Sequence, residues 1–152
     1  MRTLQQWFDS YAVSHQNPTN ISIHFICVPA IFFSVVGLFM SIPSGFLNNV
    51  LPHPIIANWA FVLLVITLVL FYFRLSVKVG IQMLLFSAFC LVLNYVIAQY
   101  VPLVYFSLAL FIIAWIGQFY GHKVEGQKPS FIDDLQFLLV GPAWVMYKLF
   151  GK

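Results

Sequence analysis

Hydrophobic positions in this chain do not alternate with polar ones; they come in long runs. Four stretches lack Asp, Glu, Lys and Arg altogether, approximately Ile23 to Met40, Ile55 to Phe73, Val79 to Ala98 and Pro102 to Tyr120. A crossing helix needs about 20 mostly apolar residues, within a range of about 17–25. The pattern therefore predicts an all-α, polytopic membrane helical bundle with four spanning helices. The breaks carry turn chemistry: Ile42-Pro43-Ser44-Gly45 and Pro52-His53-Pro54 bound the first long loop, Arg74 and Lys78 bracket a short turn, and Pro102 opens the fourth helix. A fifth apolar run, Leu135 to Phe150, is shorter and interrupted by Gly141-Pro142, and reads as a C-terminal interfacial or re-entrant helix. Near the start, Leu4, Trp7, Phe8 and Tyr11 share one face of a short amphipathic helix, with Arg2, Gln5, Gln6 and Asp9 elsewhere. That is the pattern of a helix lying in the membrane interface. Asn17-Pro18-Thr19-Asn20 ends it and turns the chain into the first span. Residues 1–152 read as one integral membrane domain, without internal repeat, low-complexity tract or cleavable signal peptide.

Composition agrees. Hydrophobic residues make up 62% of the 152 positions and charged residues 7%, where a soluble domain carries about 25% charged residues. Eleven charged side chains cannot cover a water-soluble protein of this size, which excludes a soluble globular enzyme, a disordered chain and a nucleic-acid binder. Cys27 and Cys90 both lie in apolar stretches and read as small core residues rather than a disulfide framework.

The charges sort by side once four crossings are drawn. The N-terminus, the Arg74–Lys78 turn and the segment after Tyr120 share one side, with Arg2, Arg74, Lys78, Lys123 and Lys128 on it. The opposite side, residues 41–54 and 99–101, has no Lys or Arg. Short-loop Lys/Arg bias makes the charged side cytoplasmic, N-terminus included. Spanning by the fifth run would carry Lys148 and Lys152 to the far side against that bias, hence its interfacial assignment.

Chemistry follows the same division. His15, His24 and His122 fall on the charged side with all four acids, Asp9, Glu125, Asp133 and Asp134, while His53 lies between two prolines on the other. Imidazole with carboxylate suits Fe, Zn or Mn, and two His with one carboxylate is the facial triad of non-haem Fe(II) oxygenases. His15 and His24 are nine residues apart and would face opposite ways on one continuous helix, but the Asn-Pro break removes that objection. His122 and Glu125 share a face if the helix continues past Gly121. The chain has no Ser-His-Asp signature, phosphate loop, CxxC, HxxxH or HxxHH. The residues alone thus describe a polytopic protein with a candidate interfacial metal site. A non-enzymatic scaffold or lipid-binding protein, and a Zn-dependent lipid hydrolase, stand as alternatives.

Two blocks then point to a family. Trp115-Ile-Gly-Gln-Phe-Tyr-Gly-His122-Lys-Val-Glu125-Gly-Gln-Lys-Pro129-Ser, continuing through Phe131-Ile-Asp-Asp-Leu-Gln-Phe-Leu-Leu-Val-Gly-Pro142, resembles the signature of the membrane 2-hydroxy fatty acid dioxygenases. So does the earlier block with Tyr11, His15, Asn17-Pro18, Asn20 and His24-Phe-Ile-Cys-Val-Pro29. The resemblance covers nearly the whole chain and leaves His53 outside both blocks. It implies an Fe(II)-dependent enzyme of fatty acid α-oxidation that takes a 2-hydroxy fatty acid and O2 and returns the acid one carbon shorter. His15, His24 and His122 would hold Fe(2+), with Glu125 or Asp134 completing or orienting the shell. A fatty acid lies among membrane lipid with its carboxylate at headgroup depth, where Lys123, Arg74 or Lys78 would pair with it. The corresponding membrane is the inner membrane in a bacterium or the endoplasmic reticulum in a eukaryote.

Overall fold

A computed structural model describes residues 2–126 and 137–150 of the chain, and every regular element among them is helical. Helix α1 covers Leu4–Ala12, as the amphipathic pattern predicts. Thr3 opens it with a reciprocal cap: its Oγ1 accepts from the Gln6 amide at 3.2 Å, and the Gln6 side chain accepts from the Thr3 amide at 2.9 Å. Phe8 and Tyr11 are the buried face. Burying Phe8 is worth about 1.5–3 kcal/mol against about 1 kcal/mol for the cap, so packing holds this helix more than capping does.

Helix α2, Pro18–Met40, begins five residues before the apolar run that announces it. Proline suits the first helical position, where an amide N–H is not needed. Asn17 Oδ1 accepts from the Thr19 amide at 2.9 Å, and the Ile21 amide donates to the Asn17 carbonyl. Thr19, Asn20 and Ser22 hide this start from a hydropathy reading, and the correction matters because it sets His24 inside a helix rather than at its mouth.

Helix α3, Gly45–Val50, is a short element within the expected loop. Helix α4 runs over Trp59–Leu75 and includes a π-helical turn at Leu68–Tyr72. Its start lies four residues later than the apolar pattern suggests. Asn58 caps it by accepting from the Phe61 amide at 2.9 Å, while its Nδ2 donates to the carbonyls of Pro54 and Ile55 and keeps the intervening residues in a turn. Helix α5 is Val77–Ala98, begun by Ser76, and α6 is Leu103–Val124. Helix α7, Val140–Phe150, carries Gly141-Pro142 in its first turn, where proline is tolerated, so that pair opens the helix instead of interrupting it.

Three helices, α2, α5 and α6, are long and apolar enough to cross a membrane. At 1.5 Å per residue the 17 residues of α4 reach about 25 Å and the 11 of α7 about 16 Å, against roughly 30 Å of hydrocarbon. Large apolar side chains stand exposed along α5 and α6, Leu85, Phe89, Ile113 and Ile116 among them, which water would not tolerate in such number but lipid does.

The chain packs as two compact units, one of Met1–Phe32 with Ile112–Lys152 and the other of Phe33–Phe111. In the first, α1 lies against α7: the Phe8 and Tyr147 rings are 5.2 Å apart, and Trp144 meets Tyr11 at 5.1 Å and Phe25 at 5.8 Å. In the second, fully buried Asn94 donates from Nδ2 to the carbonyls of Phe33 and Cys90, and Trp59 Nε1 donates to Pro43. Between apolar helices in lipid, such polar bonds and close packing replace the hydrophobic driving force.

Candidate metal centre

The first unit gathers three imidazoles. His15 sits just after α1, His24 in the second turn of α2, and His122 in the last turn of α6. Their ring centres lie 4.3 Å apart for His15 and His24, 5.1 Å for His24 and His122, and 5.9 Å for His15 and His122. All three are buried, with exposures of 5%, 0% and 6% in chain order. His53 belongs to the other unit, its ring 5.7 Å from Tyr95.

Two of the rings are oriented by their own backbone. His15 Nδ1 lies 2.6 Å from the Tyr11 carbonyl, and His24 Nδ1 lies 3.0 Å from the Asn20 carbonyl. A carbonyl only accepts, so Nδ1 is the donor in both, which in the neutral ring leaves the lone pair on Nε2. Tyr11 stacks on His15 at 3.9 Å with planes 8° apart, and Trp144 closes another side at 5.8 Å.

A carboxylate ties these pieces together. Glu125 Oε1 accepts from the Gln16 amide at 3.0 Å, the Asn17 amide at 2.8 Å and Asn20 Nδ2 at 3.0 Å. Asn20 Nδ2 also donates to the Ser14 carbonyl. The junction between α1 and α2 is thereby fastened to the end of α6. Desolvation would raise the Glu125 pKa, but the hydrogen bonds from Asn20, Asn17 and Gln16, with His15 nearby, bring it below the ordinary carboxylate value. The helix does continue past Gly121, and Gly126, at φ 83°, supplies the left-handed turn just after Glu125. Gly121 itself is needed for approach: a Cβ there would collide with Asn20 Oδ1 and come within 3.2 Å of His24 Cε1.

The donor set suits a borderline cation. Buried neutral imidazoles with Nδ1 held by a backbone carbonyl and Nε2 turned to a lone pair are the usual form of metal-binding histidine. His24 Nε2 is buried without a hydrogen-bond partner. What is assembled is the cluster of rings: among the described residues no group of three or more His, Cys, Asp or Glu has the spacing of a finished metal shell.

Comparison with known proteins bears on the chain as a whole. A family model described as "2-hydroxy-palmitic acid dioxygenase Mpo1-like" matches residues 1–152. The chain belongs to the Mpo1-like family. It is 35% identical over 146 residues to the 2-hydroxy-palmitic acid dioxygenase MPO1 of Saccharomyces cerevisiae, covering 93% of this chain and 76% of that protein. No solved structure matches it.

The other candidate residues of this Mpo1-like chain separate by place. Lys123 is exposed beside His122 in the first unit, whereas Arg74 and Lys78 are exposed in the second. Asp134 lies outside the described residues. The sequence reading missed Tyr11, Asn20 and Trp144 as supports of the histidines. For Asn20 a signal was present, since it precedes His24 by one helical turn on the same face.

Proposed function

We propose that this chain is an Fe(II)-dependent dioxygenase that converts 2-hydroxy fatty acids and O2 to fatty acids one carbon shorter. The observation that carries the reading is the meeting of His15, His24 and His122, residues from both motif blocks, in a chain matched by an Mpo1-like family model over its whole length. These three would hold the iron, which when bound supplies the redox chemistry that O2 requires. The remaining residues shape the place where it acts. Tyr11 and Asn20 present His15 and His24 with Nε2 unprotonated, and Glu125 braces the strand of chain between them. Trp144, 4% exposed, and Tyr11, 3% exposed, keep water from one side of the cluster. Lys123, the one of the three candidate cations Lys123, Arg74 and Lys78 that shares a unit with the histidines, pairs with the substrate carboxylate.

The same cluster supports four crossings. His15 and His24, near the start of α2, meet His122, near the end of α6, so the chain enters and leaves the bilayer on one side. Three long helices give an odd count, and α4 is the element that restores an even one, with local thinning making up its length. Lys/Arg bias then sets the histidine side and the N-terminus in the cytoplasm, with α1 and α7 in the interface.

The decisive experiment is His122→Ala. The variant is expected to insert normally while losing bound iron and O2-dependent formation of the C15 acid from 2-hydroxypalmitate. Full turnover in that variant overturns the reading. Turnover without O2 points to a metal-dependent hydrolase, and indifference of the parent protein to added Fe(II) points to a scaffold.

A further inference from the structure

One turn before His122 on the same helix face lies Gln118, 6% exposed. Its Oε1 is buried with no hydrogen-bond partner, an arrangement that costs free energy unless something fills it. Gln118 lines a small cavity of about 20 Å³ whose other walls include Tyr11, Val28, Ile31, Phe137 and Pro142. Tyr11 is the ring that stacks on His15, so cavity and histidine cluster share a wall.

Size and lining limit what can enter. About 20 Å³ is room for a single water-sized group and excludes an acyl chain or a ring. Most of the wall is hydrocarbon, so the partner must satisfy the Gln118 amide itself. A hydroxyl does this with either end of the amide, because it both donates and accepts.

We propose that Gln118 receives the 2-hydroxyl group of the substrate and is the residue that separates 2-hydroxy fatty acids from unsubstituted ones. The inference rests on the dioxygenase reading and adds to it a specificity-determining residue. A site that hydrogen-bonds a substrate hydroxyl rejects the analogue without it far more strongly than an apolar pocket rejects a missing methylene, because the protein's own polar group is left unsatisfied.

The test measures binding rather than turnover. Full-length protein in detergent, loaded with Fe(II) and kept under argon, is titrated with 2-hydroxypalmitate and with palmitate, each displacing a fluorescent fatty acid. The parent protein is expected to favour the hydroxy acid by about tenfold or more, the worth of one good hydrogen bond. Gln118→Leu should bring the two affinities together while leaving that for palmitate in place, and Gln118→Asn, which withdraws the amide, should lie between them. A preference in Gln118→Leu that falls by less than threefold overturns the proposal. If Gln118→Leu does not fold, an unaltered preference in Gln118→Asn does the same, a water then being the cavity's occupant. A parent protein that binds both acids alike yet oxidises the hydroxy acid sinks this inference and leaves the dioxygenase reading intact. Absence of 2-hydroxy acid turnover sinks the reading itself.

Discussion

Glu125 spends one oxygen on three N–H donors, which makes it a brace rather than the first choice for a metal ligand. Glu125→Gln keeps the shape and removes the charge that strengthens those bonds. It is expected to lower the unfolding midpoint in detergent by about 2–4 °C and to weaken iron binding about tenfold or more, as loss of outer supports does elsewhere. The pH dependence has a definite sign. The folded carboxyl titrates below its unfolded value, so the brace is at full strength above about pH 4.3 and is lost as pH falls through the folded pKa. The stability gap between parent and Glu125→Gln, followed by thermal unfolding, should hold from pH 8 down to about 5 and narrow below about 4. At this scale the sequence was informative about which histidines come together and silent about their supports. Three histidines and an acid announce themselves by rarity in an apolar chain. Tyr11 and Trp144 look like any other aromatics until packing sets them against His15.

At the scale of elements, the helices were legible because lipid-facing runs leave no alternative to helical hydrogen bonding. Their beginnings were not. Hydropathy starts α2 at Ile23 and α4 at Ile55, whereas Pro18 with Asn17, and Asn58 with its three hydrogen bonds, decide the true starts. Termini are set by single polar contacts, which an averaged apolar signal passes over. Helix contact also yields a prediction. Gly121→Ala puts a methyl group where α6 meets Asn20 and His24, and should cut iron content and turnover severely. Gly45→Ala, where nothing lies within 4 Å, should leave both unchanged. Metal analysis of the two purified variants separates a close-packing requirement from a general intolerance of alanine.

For the whole molecule, composition points to a membrane, and the four crossings proposed from the histidine cluster can be tested directly. Four crossings place residues 14 and 76 on one side and residue 49 on the other. Single cysteines introduced at Ser14, Ser76 and Asn49, with Cys27 and Cys90 replaced by Ala, should label accordingly with a membrane-impermeant maleimide. Labelling of the residue 76 cysteine from the side opposite residue 14 would mean that α4 does not cross. Apolar count alone could not settle this, since α4 reads as a span by composition and falls short by length.

The Glu125 brace also has a consequence in time. It joins positions 109 residues apart, with the whole of the second unit in between. At synthesis rates of roughly 5–20 residues per second, His15 and His24 wait about 5–20 s for His122 and Glu125 to leave the ribosome. During that interval the growing chain holds two of the cluster's three imidazoles and no brace. If the three histidines hold iron as proposed, its capture is a late event, deferred until the last long helix has been made, and a nascent or prematurely ended chain is spared a half-built centre.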